Sequence, residues 1–79
     1  MITFSELLTR AIKDSKYMPE QVAELCSVHR YTLKAWSEGI QVPERQYLRR
    51  LANILCPKTP SEAYWIMFNM IRMEQGWLK

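Results

Sequence analysis

Histidine appears once in these 79 residues, and glycine and cysteine twice each. A single histidine, His29, leaves no Ser/His/Asp or Cys/His constellation with a credible set of partners, so no enzymatic activity is expected. Two glycines, Gly39 and Gly76, cannot build a phosphate-cradling loop, and no cofactor is expected. Cys26, Cys56 and His29 make at most three soft ligands without paired spacing, which argues against a zinc site. Two cysteines also fall short of a secreted disulfide framework. Free thiols in a reducing cytoplasm are the simpler account. Long hydrophobic runs are missing too. The longest, AYWIMF at residues 63–68, is far below the roughly 20 residues that span a bilayer. The opening MITFSELL has no basic region followed by an apolar stretch, so no secretory signal is expected.

What remains is a chain that should fold as one small unit. It is 48% hydrophobic and 24% charged, outside the range of disordered sequences. The net charge of +3 permits a nucleic-acid partner, and an ordinary solvated basic surface equally well.

The hydrophobic pattern is helical throughout, with no strand-like alternation. Thr3 and Glu6 form a capping box, and Phe4, Leu7, Leu8, Ala11 and Ile12 follow on one face of a helix that should fade around Lys16. Pro19 suits the first turn of a short second helix, to about Cys26. A third runs from about Arg30 to Glu38, with Leu33 and Trp36 inward and Gly39 as a left-handed stop. Pro43 is expected to open a fourth helix carrying Tyr47, Leu48, Leu51, Ala52 and Leu55, which Cys56-Pro57 ends. Thr59-Pro60-Ser61-Glu62 repeats the start signal, now with proline, for a fifth helix that reaches about Gln75 before Gly76. The fold class is therefore all-α with five helices.

The second and third helices, joined by a turn of about three residues, have the layout of a helix-turn-helix over about 19–38. Ala23 supplies the small residue where the helices cross, Val28 plugs the turn, and Leu33 with Trp36 anchors the second helix. In sequence, Val22-Ala23, Cys26-Ser27-Val28, Thr32-Leu33, Trp36, Gly39 and Pro43 stand at the spacings of the phage-repressor (Xre/Cro) family, followed by Leu48, Leu51, Ala52 and Leu55. Residues 18–55 resemble that family, and the first helix fits as well. The resemblance implies a five-helix lambda-repressor-like domain, with the helix-turn-helix DNA-binding part at 1–57 and the apolar C-terminal helix at 58–79 within the same compact domain. Five positions depart from the family pattern. Met18-Pro19 replaces a Thr-Gln pair whose glutamine often touches phosphate, Ser27 replaces the turn glycine, His29 replaces a serine cap, and Ser37 replaces an acid that pairs with the first helix.

By this resemblance, Arg30, Tyr31, Lys34 and Ala35 are base-reading positions in a major groove. The chemistry agrees: arginine can give two donors to guanine, and alanine allows close approach. His29, Thr32, Gln41 and Arg45 are the expected phosphate contacts, helped by the amides of a helix starting at Pro43. Arg49-Arg50 reads as a solubility pair. The fifth helix is apolar over more than half its circumference. Ala63, Ile66, Met70, Met73 and Trp77 fall on one side; Tyr64, Met67, Phe68 and Ile71 fall on the adjoining side. One side can cover the core, and the other is left for a partner. The second set is expected to form the interface of a homodimer, which suits a palindromic double-stranded DNA site. The expected function is that of a cytoplasmic transcriptional repressor. The alternative is a protein-binding module of the same fold, antitoxin-like, that uses the apolar C-terminal helix.

Overall fold

The computed structural model describes residues 2–76. They form five helices, α1 (Phe4–Asp14), α2 (Pro19–Leu25), α3 (Arg30–Ser37), α4 (Arg45–Leu55) and α5 (Pro60–Gln75), and no strand. None of the described helices is long and apolar enough to cross a membrane.

Local chemistry accounts for most helix ends. At α1, the Glu6 amide donates to the Thr3 hydroxyl at 3.3 Å, and that hydroxyl donates to the Glu6 carboxylate at 3.1 Å. A second cap comes from far along the chain: the Phe4 amide donates to Glu74 of α5 at 2.7 Å, a negative charge at the positive end of the helix dipole. The helix stops at Asp14, short of Lys16, because Ser15 turns extended and its hydroxyl donates to the Ile12 carbonyl at 2.7 Å.

Helices α2 and α3 end in the same way. Past α2, the Ser27 amide donates to Glu24 and the Val28 amide to Ala23, both at 3.0 Å. Past α3, the Gly39 amide donates to Trp36 at 3.3 Å and the Ile40 amide to Ala35 at 3.0 Å. These paired bonds are Schellman closures, each built around a left-handed residue. Gly39 has φ +78° and Ser27 has φ +61°. The α2 closure also receives Arg50, whose Nη1 donates to the Cys26 carbonyl at 2.9 Å. Arg50 is thus a C-terminal cap across helices, not the free solubility residue expected.

Two helix starts differ from the sequence expectation. Pro43 does not open α4; it lies buried in the preceding loop, and Glu44 is the N-cap. Proline there fixes the approach of the chain, while the Glu44 carbonyl accepts the first helical bonds, from Tyr47 and Leu48, both at 3.0 Å. The second capping box also fails to form. Thr59 sits at φ −137°, ψ 55°, and its side chain makes no cap bond; the start of α5 rests on Pro60 and on the Ala63 amide donating to the Thr59 carbonyl at 3.0 Å.

One continuous core joins all five helices. It takes Phe4, Leu8 and Ile12 from α1, Val22 and Ala23 from α2 with Cys26 after it, Leu33 and Trp36 from α3, and Leu48, Leu51 and Ala52 from α4. The fifth helix adds Tyr64, Met67, Phe68 and Ile71, which overturns their expected placement in a dimer interface. They are buried in the chain's own core, with the Tyr64 and Phe68 rings stacked at 5.9 Å. Arg45 lies over Phe68 at 4.9 Å and Arg49 over Tyr64 at 5.1 Å, so α4 and α5 run antiparallel. The physical reason is burial: this face carries α5 against α4 and α1, where it closes the core. The face left outside carries Trp65, Ile66 and Met73, which are 56%, 55% and 64% exposed.

Candidate nucleic-acid interface

Helix α3 is held from behind. Leu33 and Trp36 are buried, and the Trp36 ring meets Tyr47 at 5.6 Å. The Ser37 hydroxyl donates to the Leu33 carbonyl at 3.0 Å, and Thr9 of α1 donates to the Ser37 carbonyl at 3.3 Å. The link between α1 and the end of α3 is a neutral hydrogen bond from a hydroxyl that also donates to the Ser5 carbonyl at 2.8 Å. Fixing this side of α3 commits the opposite side to solvent.

That outward side carries the expected base-reading residues: Arg30, Tyr31 and Lys34 are exposed and Ala35 is half-buried. His29 caps the helix after all. Its Nδ1 accepts the Tyr31 amide at 3.2 Å, which leaves Nε2 to carry the ring N–H. The His29 and Tyr31 rings stack at 4.8 Å, and the Arg30 guanidinium lies 5.3 Å from the Tyr31 ring. Histidine, arginine and tyrosine thus form one preorganised cluster at the first turn of α3, with Lys34 about one turn further along.

The expected phosphate contacts are less unified. Thr32 is half-buried beside His29. Gln41 is exposed, and its amide donates to the Ala35 carbonyl at 3.4 Å, which keeps it near the end of α3. Arg45 is exposed, but its guanidinium rests on Phe68 of α5. The N-terminus of α4 is a poorer anion site than expected, because Glu44 already places a carboxylate at its positive end.

A feature that the sequence reading missed adjoins the cluster. A groove of about 880 Å³ runs between the second half of α1, the α1–α2 connection and α3. Lys13 and Lys16 line one wall, and Arg30 and Lys34 the other; among the described residues, Glu20 and Glu38 are its only carboxylates. The sequence holds no signal for this, because nothing near Lys13 or Lys16 says that the end of α1 faces α3.

The remaining chemistry is quiet. Burial pushes the Cys26 thiol up to about 11, against a partly compensating pull from the Arg50 charge. Cys26 and Cys56 are both free. Among the described residues, no group of three or more His, Cys, Asp or Glu side chains is placed to hold a metal ion. Comparisons with protein-family models, curated proteins and solved structures give no match for this chain.

Proposed function

We propose that this protein is a sequence-specific DNA-binding transcriptional regulator of the phage-repressor (Xre/Cro) type. It lays α3 in the major groove and acts, in the cytoplasm, as a homodimer that represses by occupying its site. One observation carries the reading: α2 and α3 are joined by a left-handed turn at Ser27, and the solvent side of α3 presents Arg30, Tyr31 and Lys34 around the small Ala35. Arg30 supplies paired donors for a guanine edge, Ala35 lets the helix approach the groove floor, and the His29 Nε2–H can meet a phosphate.

The homodimer rests on the outer face of α5. Ile66, Met70 and Met73 repeat at spacings of four and three, the pattern of a seam between paired helices. Ile66 and Met73 are largely exposed, and Met70 is half-buried. The domain measures 36 × 27 × 23 Å. A palindromic site asks the paired copies to hold their α3 helices roughly 34 Å apart, one DNA turn.

Selection of binding sites from a random duplex pool at two salt concentrations tests the reading. Enrichment of a two-fold symmetric motif is expected, with retention that falls steeply as salt rises. Absence of retention at low salt overturns it, and leaves the exposed Trp65, Ile66 and Met73 as the surface of a protein-binding module.

A further inference from the structure

We infer that the groove between α1 and α3 is a docking site for an acidic peptide segment with a large apolar anchor, whose binding excludes DNA from α3; the exclusion, though not the docking, rests on the DNA-binding reading above.

The volume of about 880 Å³ lies within the range of sites that enclose organic ligands, about 300–1,000 Å³. Its character is two-sided. Ile12 and Leu33 form part of the lining from the core side, and Tyr17 and Met18 extend the apolar surface outward. Met18 is unusual in its own right. It is the N-cap of α2, where serine, threonine or aspartate normally serves; Gln21 Oε1 accepts the Met18 amide at 2.8 Å and closes the helix start, while the Met18 side chain stands 64% exposed. The exposed Met18 side chain offers an apolar anchor in the groove a surface to pack against.

Around that surface, the four cations Lys13, Lys16, Arg30 and Lys34 face the two carboxylates Glu20 and Glu38. The charge excess selects an anion, and the apolar wall selects one with a hydrophobic body. A sugar-phosphate backbone satisfies the first requirement and not the second, since it has no large apolar group to bury against Tyr17 and Met18. An acidic peptide carrying leucine or phenylalanine satisfies both. Because Arg30, Tyr31 and Lys34 belong to the groove wall as well as to the outward face of α3, a segment seated there takes the same side chains that DNA would use.

The test uses the full chain and a fluorescein-labelled peptide of roughly ten residues, long enough in extended form to cross the groove. It contains glutamate and aspartate with a central Leu-Phe pair. Two control peptides replace the pair with serines or the acids with lysines. Anisotropy is read for the parent chain and for Met18→Ser, which removes apolar surface without changing charge, with circular dichroism to verify that the variant is folded. The acidic-apolar peptide should bind more tightly than either control. Its affinity should fall about tenfold in Met18→Ser while DNA retention is unchanged, and duplex DNA should displace it. Failure of the acidic-apolar peptide to bind, or equal binding of the serine control, overturns the docking site. Peptide binding by a chain that retains no DNA leaves the docking site standing and sinks the DNA reading instead. A ternary complex of chain, peptide and duplex overturns the exclusion.

Discussion

Replacing Ser27 with glycine should make this protein more stable, although the change removes a side chain. Ser27 holds φ +61°, and an L-residue in that region carries a strain of about 1–2 kcal/mol from its Cβ. Glycine removes the strain but adds freedom to the unfolded chain, which returns about 0.5–1 kcal/mol. The two closing bonds, Ser27 to Glu24 and Val28 to Ala23, are backbone bonds and survive the substitution. The residue is exposed, so no packing is lost. The net expectation is a gain of about 0.5–1 kcal/mol, or about 2–8 °C in Tm for a domain of this size. Gly39→Ala is the reciprocal experiment. There φ is +78°, and a Cβ would meet the nearest atom, Ser5 Oγ, at 3.5 Å, an ordinary contact. Its cost is therefore backbone strain alone, about 1 kcal/mol with the opposite sign. Thermal and urea denaturation followed by circular dichroism measure both. A Ser27→Gly chain that melts at or below the parent temperature would refute the argument from strain.

Arg30→Ala should relax sequence preference at one base pair per half-site, at a cost of about 1–3 kcal/mol; a uniform loss on all sequences, measured by competition binding, would make Arg30 a phosphate contact instead. Ile66→Glu should leave the monomer folded and abolish dimerisation in sedimentation, whereas Phe68→Glu should unfold the chain, because only Phe68 lies in the core. Arg50→Ala should cost about 1 kcal/mol in urea denaturation through loss of its bond to the Cys26 carbonyl, added to loss of a ring contact with Tyr47 like the one Arg49 makes with Tyr64. Arg49→Ala, which removes only a ring contact from an exposed side chain, should cost about half of that; equal effects would refute the capping role. The Cys26 thiol, raised from 9.0 to about 11 in the fold, binds its proton more tightly when folded than when unfolded. Its stabilising contribution is complete below pH 9 and is lost as pH climbs from 9 to 11, by an amount on the order of 2 kcal/mol. A Cys26→Ala chain should lack that part of the alkaline decline, and identical pH profiles would count against it.

Much of the fold could be read in the sequence because it depends on neighbours a few residues apart. Thr3 caps α1 through the Glu6 amide, Pro19 starts α2, and Gly39 and Gly76 adopt the left-handed conformations that end α3 and α5. Leu33 and Trp36 turned inward as their spacing required, which is why the outward placement of Arg30, Tyr31 and Lys34 was legible too. Where local rules conflicted, they misled. Pro43 was compatible with a helix start and with the loop before one, and only the buried seat it occupies selected the loop.

Tertiary structure decided the rest. Helical periodicity identified two apolar faces on α5 but carried no information about which faced inward; packing against α4 and α1 buried Tyr64, Met67, Phe68 and Ile71, and left Ile66 and Met73 in solvent. Arg50 found the Cys26 carbonyl 24 residues away, and Glu74 found the Phe4 amide 70 residues away. The convergence of Lys13 and Lys16 with Arg30 and Lys34 across one groove follows from how α1 lies against α3. Sequence sets where a helix begins, where it ends and which of its faces are apolar, because those properties act through the backbone over one turn. Which faces meet depends on volumes and angles shared by the whole chain.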